Sequence, residues 1–117
     1  MTTTIVKQFT LDPDDFADII CTASFSCGYW ADQLTCNDDN TADIVFDDDG
    51  KRVTRSISLS RAEALIAQIA SGQSSIKNTS LLSSFKQLAF EGNAGEIDAD
   101  AADVLVQLCV FGEIIYG

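Results

Sequence analysis

The chain contains no histidine. That absence removes Ser-His-Asp and Cys-His nucleophilic sites, and it removes imidazole from any metal site. Positive charge is scarce: 7 Lys and Arg stand against 18 Asp and Glu, for a net charge of −11. Such a field repels nucleic acid and anionic lipid and attracts cationic partners. No run approaches the roughly 18 apolar residues that a membrane-spanning helix needs. The opening Met1-Thr2-Thr3-Thr4-Ile5-Val6-Lys7 has no basic stretch leading into an apolar one, so no signal peptide is expected. The expectation is a cytoplasmic chain with Cys21, Cys27, Cys36 and Cys109 reduced.

The cysteines lack C-x-x-C spacing, so a zinc site would require Cys21 or Cys27, Cys36 and Cys109 to converge in space. Neither G-x-x-x-x-G-K-[ST] nor G-x-G-x-x-G occurs. The run Asp47-Asp48-Asp49-Gly50 suggests calcium. An EF-hand loop would want an acid at Val45 and a glutamate at Ser56, so that pattern fails. No cofactor is expected. Paired carboxylates are plentiful, but nearly all fall where helix starts and turns use them, so the expectation is a non-enzymatic protein.

What is present is enough apolar material for one core: 46% of 117 residues, with seven Phe. Alternation of Ile5, Phe9 and Leu11 predicts a strand over 4–11. Asp12-Pro13-Asp14-Asp15 is a strong helix start, followed by Phe16, Ile19, Ile20, Ala23 and Cys27 at helical spacing and by Gly28 as a stop. Tyr29-Trp30 begins a short strand or a packed loop, and Thr35-Cys36-Asn37-Asp38-Asp39-Asn40 reads as loop or turn. Ala42, Ile44 and Phe46 then alternate with polar residues up to Asp49-Gly50, a type I′ hairpin pair. A two-residue loop there pairs Phe46 with Val53, Ile44 with Arg55, Asp47 with Arg52 and Asp48 with Lys51. Ser60-Arg61-Ala62-Glu63 matches a capping box for a second helix ending at Gly72. A third helix is predicted over about Ser80 to Phe90. A fourth runs from Asp98 through Leu105 toward Tyr116, with Gly112 as an internal weak point. The fold class expected is one α+β domain over 1–117. It has a mostly antiparallel sheet of three or four strands, with three to four helices on one face.

Two residues carry open alternatives. Arg55 falls on the apolar face of its strand, so it either pairs with an acid such as Asp18 or Asp43 or lines a pocket or interface. Tyr29-Trp30 either caps the core or forms a contact surface.

Two segments carry a resemblance. One is Asp15-Phe16-Ala17-Asp18-Ile19-Ile20-Cys21-Thr22-Ala23 leading into Gly28-Tyr29-Trp30. The other is Asp98-Ala99-Asp100-Ala101-Ala102-Asp103-Val104-Leu105-Val106-Gln107 with Phe111-Gly112-Glu113-Ile114-Ile115-Tyr116-Gly117. Together they resemble small acidic proteins encoded by bacteriophages and mobile elements. The resemblance implies an anti-defence inhibitor, such as an anti-CRISPR or nucleic-acid mimic, acting in the host cytoplasm. Its partner would be the basic surface of a nucleic-acid-handling protein. The expected contacts are Asp38, Asp39, Asp43, Asp47, Asp48 and Asp49, with Tyr29 and Trp30 as anchors, on the premise that the aspartates gather into one outward-facing zone. The rival expectations are a self-assembling accessory protein, motivated by the apolar stretch Val104–Tyr116, and a small-molecule binder using Arg55, Lys77 or Lys86.

Overall fold

The computed structural model describes residues 9–72, 76, 78–92, 95 and 97–116. The first helix, α1 (Pro13–Ser26), begins as the sequence predicts: the Asp12 side chain accepts the Asp14 N–H at 2.7 Å, and Pro13 opens the first turn. It buries Phe16, Ile19, Ile20 and Ala23. A single 3-10 turn, Cys27–Tyr29, tightens its end and delivers Trp30.

Most of the strand predicted over 4–11 lies outside the described residues. Phe9, Thr10 and Leu11 are not in a strand. Leu11 is instead a core residue, and its N–H donates to the Glu63 carboxylate at 2.7 Å.

Three strands form one antiparallel sheet in the order β1-β2-β3: β1 (Ala31–Cys36), β2 (Thr41–Asp48) and β3 (Lys51–Ser58). Asp49 and Gly50 take φ of 52° and 82°, the double positive φ of a I′ turn. All four predicted pairs, Phe46 with Val53, Ile44 with Arg55, Asp47 with Arg52 and Asp48 with Lys51, are in register. The ambiguous segment 29–40 contains β1. Its alternation is illegible because Asp32 is a bulge: Ala31 pairs with Phe46, but Gln33 pairs with Val45.

The helices cover the sheet face of Ala42, Ile44, Phe46 and Ile57, all buried. The helix α2 (Leu59–Ala70) follows β3 with no loop. Its cap is Ser58, which accepts the Arg61 N–H at 3.0 Å, rather than the predicted Ser60. The predicted capping box fails because Glu63 is already committed to Leu11. Asn78 caps α3 (Thr79–Glu91) and Asp98 caps α4 (Ala99–Phe111). Gly112, at φ 76°, ends α4 rather than weakening it from within. Beyond it the chain turns back along α4.

The most apolar helix, α4, packs against α1, α2, α3 and β3. Its Ala101, Ala102, Leu105, Val106 and Leu108 are buried within the chain. Further along the stretch that motivated self-assembly, Ile114 and Ile115 stay exposed, at 45% and 52%.

The corrected cap gives a direct test. Ser58→Ala should destabilise the fold by about 1 kcal/mol in urea unfolding, as loss of a helix cap does. Ser60→Ala should change it little. Equal losses would return the cap to Ser60.

Candidate functional site

One acid sits inside the apolar helix α4. Asp103 is 9% exposed, and its carboxylate gathers donors from across the chain. The Trp30 indole Nε1–H donates to Oδ1 at 2.9 Å, the Gln107 amide at 3.0 Å and the Cys27 thiol at 3.5 Å. The Tyr29 hydroxyl donates to Oδ2 at 2.6 Å. A buried carboxylate is costly unless its lone pairs are filled, and here four donors fill them.

Gln107 extends the network to the returning C-terminal segment. Its Oε1 accepts the N–H groups of Ile115 and Tyr116, both at 2.8 Å, and its amide donates to the Tyr116 carbonyl at 3.2 Å. Tyr116 thereby stacks on Trp30 with ring centroids 5.1 Å apart and planes 9° apart. Trp30 also meets Phe46 edge-on at 5.9 Å and Phe111 at 5.6 Å. The sequence signal for this centre was two polar residues, Asp103 and Gln107, four apart on one face of an otherwise apolar helix. Neither residue carried a functional expectation.

The network holds Cys27 and Tyr29 protonated. Burial, then the charge of Asp103 and the hydrogen bond to it, pushes the Cys27 thiol from 9.0 up to about 12. Burial, then the hydrogen bond to Asp103 and its charge, pushes the Tyr29 hydroxyl up to about 12. Neither supplies a thiolate or phenolate near neutral pH. Among the described residues no three Cys, Asp or Glu side chains are placed to hold a metal ion. No helix among them is long and apolar enough to cross a membrane.

Beside Asp103 lies an open cleft of about 740 Å³. Its walls are the start of α3, the first turns of α4 and the returning residues Ile114 and Tyr116; Tyr29 stands at its rim. A smaller open groove of about 410 Å³ runs along α3 past Lys86 and Phe90.

The predicted contact residues do not form one zone. Asp38 and Asp39 lie in the β1–β2 turn. Asp47, Asp48 and Asp49 lie at the β2–β3 turn. Asp43 lies between them on the sheet face away from the helices, half-buried. With eight residues in β2, at about 3.4 Å each, the two turns stand roughly 24 Å apart. The Asp38–Asp39 end is also the end where α1 starts: the Leu59 N–H donates to the Asn40 carbonyl at 2.9 Å, and Glu63, one turn into α2, holds Leu11. Asp12, Asp14 and Asp15 thereby share that pole with Asp38 and Asp39. Slight burial, then the charges of Asp12, Asp18 and Asp14, raises the Asp15 carboxyl above its ordinary value.

At the opposite turn, bases temper the acids. Lys51 and Arg52 are the cross-strand partners of Asp48 and Asp47, and Arg52 pairs with Asp32 at 3.5 Å. Tyr29 is exposed, at 59%, but Trp30 is buried and drops out as a surface anchor: its ring and its N–H are both spent on the core.

Arg55 forms neither the predicted ion pair nor part of a cleft wall. It extends to solvent from the edge strand β3, and among the described residues it donates only to the Thr54 carbonyl, at 3.4 Å. It has no ion pair with Asp18 or Asp43 and lines neither cleft. Lys77 lies outside the described residues.

Asp103→Ala strands three buried donors and should cost about 3 kcal/mol or more, by the penalty for unsatisfied buried groups. Asp100→Ala, one turn earlier and exposed, should cost little. Comparable losses in urea unfolding would contradict the network. A second expectation concerns alkali. Cys27 and Tyr29 are weaker acids folded than unfolded, so their ionisation favours the unfolded chain. Their contribution is intact below pH 9.0 and fades as pH rises toward about 12. The urea midpoint should fall across that interval, and less so in Cys27→Ala; an equal fall in both would exclude Cys27 as a source.

Comparison with protein-family profiles, with curated proteins and with solved structures finds no match to this chain.

Proposed function

We propose that this chain is a non-enzymatic acidic binding protein that docks on a basic surface of a nucleic-acid-handling protein, as a phage-encoded inhibitor of host or defence machinery would. The observation that supports this most is the pole formed by the α1 start and the β1–β2 turn. Asp14 and Asp38 are exposed there and have no ion pair among the described residues, in a chain of net charge −11. A lone surface acid needs no explanation, since charge alone promotes solubility. At the α1 start, slight burial and then the charges of Asp12, Asp18 and Asp14 raise the Asp15 carboxyl, and a cationic surface would relieve the repulsive part.

Long-range attraction of this kind acts on the rate of encounter. Association should therefore slow as salt rises, on the order of tenfold or more between low and high ionic strength. The combined variant Asp14→Lys, Asp38→Lys, Asp39→Lys should capture fewer nucleic-acid-binding proteins from a bacterial lysate at low salt. The variant Asp47→Lys, Asp48→Lys, Asp49→Lys should lose less. Capture that is indifferent to salt and to the first variant would overturn the proposal.

A further inference from the structure

We infer that the groove holding the end of the chain is a peptide-binding site, filled by the chain's own Tyr116, that accepts an aromatic residue from a segment of a partner protein. The inference goes beyond docking on a basic surface and does not depend on it. What the site reads is visible because an occupant is in place. Gln107, 1% exposed, is fixed by its amide on Asp103 at 3.0 Å. Its Oε1 accepts two consecutive N–H groups, of Ile115 and Tyr116, and its amide donates to the Tyr116 carbonyl. All three bonds go to main chain, so they hold any residues but proline at the two positions. The selective contact is the ring. Tyr116 stacks on Trp30 and meets Phe111 edge-on at 5.9 Å. Main-chain hydrogen bonds for affinity, beside a slot for one side chain, are the working parts of peptide recognition.

Three observations make the occupant exchangeable. The strap of residues 113–116 belongs to no helix or strand, and its Ile114 and Ile115 face solvent rather than packing down. Among the described residues, the hydrogen bonds that hold Ile115 and Tyr116 all run to Gln107, and Gly112, at φ 76°, is the joint that joins the strap to α4. The open cleft runs alongside, with Ile114 and Tyr116 in its wall, and gives room to the residues that flank a partner's aromatic side chain. The site also persists when the strap leaves. The bonds from Cys27, Tyr29 and Trp30 to Asp103 do not pass through the strap, so Trp30 and Gln107 keep their places.

The test uses the whole chain, as wild type and as Tyr116→Ala, which empties the aromatic slot. The probe is a capped peptide copying the sequence of residues 112–117, with counterparts carrying Tyr116→Phe or Tyr116→Ala. Binding is read by calorimetry and by emission of Trp30, the chain's one tryptophan. The Tyr116→Ala chain should bind the tyrosine and phenylalanine peptides saturably and the alanine peptide not at all. The wild type should bind the first two about a hundredfold more weakly, because its own strap competes as a tethered ligand. Equal binding by the two chains, or none by a folded Tyr116→Ala chain, overturns the inference. Hydrogen exchange on the wild type decides the matter even where the variant fails to fold. The Ile115 and Tyr116 amides should exchange through local release, about tenfold or more faster than the Leu105 amide, while the Trp30 indole N–H stays protected. Strap amides as slow as Leu105 would make the strap part of the core and overturn the inference. Docking on a basic surface stands or falls separately, on its salt dependence and its own variants.

Discussion

A single acidic side chain, buried in an apolar helix, sets the arrangement of one end of this molecule. The Asp103 carboxylate is stable there only while Cys27, Tyr29, Trp30 and Gln107 all donate to it. Those donors come from the end of α1, the approach to β1 and α4 itself. Gln107 then ties in the last residues of the chain. The geometry after Gly112 follows from it: a free C-terminal segment has no reason to lie back along α4 without the amide that receives its N–H groups. Fully satisfied, such a network makes one packing of these elements far better than any near alternative.

Local chemistry carried much of the fold into the sequence. The Asp12-Pro13 start, the Asp49-Gly50 turn and the hairpin register were legible because each depends on neighbours in the chain. The errors have long-range causes. Glu63 looked like half of a capping box, but Leu11, fifty-two positions away, takes its carboxylate. The alternation of β1 was hidden by the Asp32 bulge. Gly112 read as a flaw in a longer helix because nothing local announces that residues 115 and 116 will bond to Gln107. The site was least legible of all. A charge census singles out runs of aspartate, whereas the acid with the most structural consequence stands alone among alanines, valines and leucines.

Separating the two acidic turns changes how the charge works. A single negative face would act as a broad mimic of a phosphate backbone. Two turns roughly 24 Å apart, one of them tempered by Lys51 and Arg52, leave the α1 end as the stronger pole. The cleft by Asp103 is separate from both turns, lined by the starts of α3 and α4 and by Ile114 and Tyr116.

The central claim is that Asp103 and its donors form one cooperative unit with the core. Hydrogen exchange at the Trp30 indole N–H tests it most directly, since the chain has one tryptophan and the signal is unambiguous. The account predicts exchange only through global unfolding, as slow as the amides of buried Ile44 and Leu105. Exchange orders of magnitude faster than those amides, under conditions where the fold is intact, would contradict it.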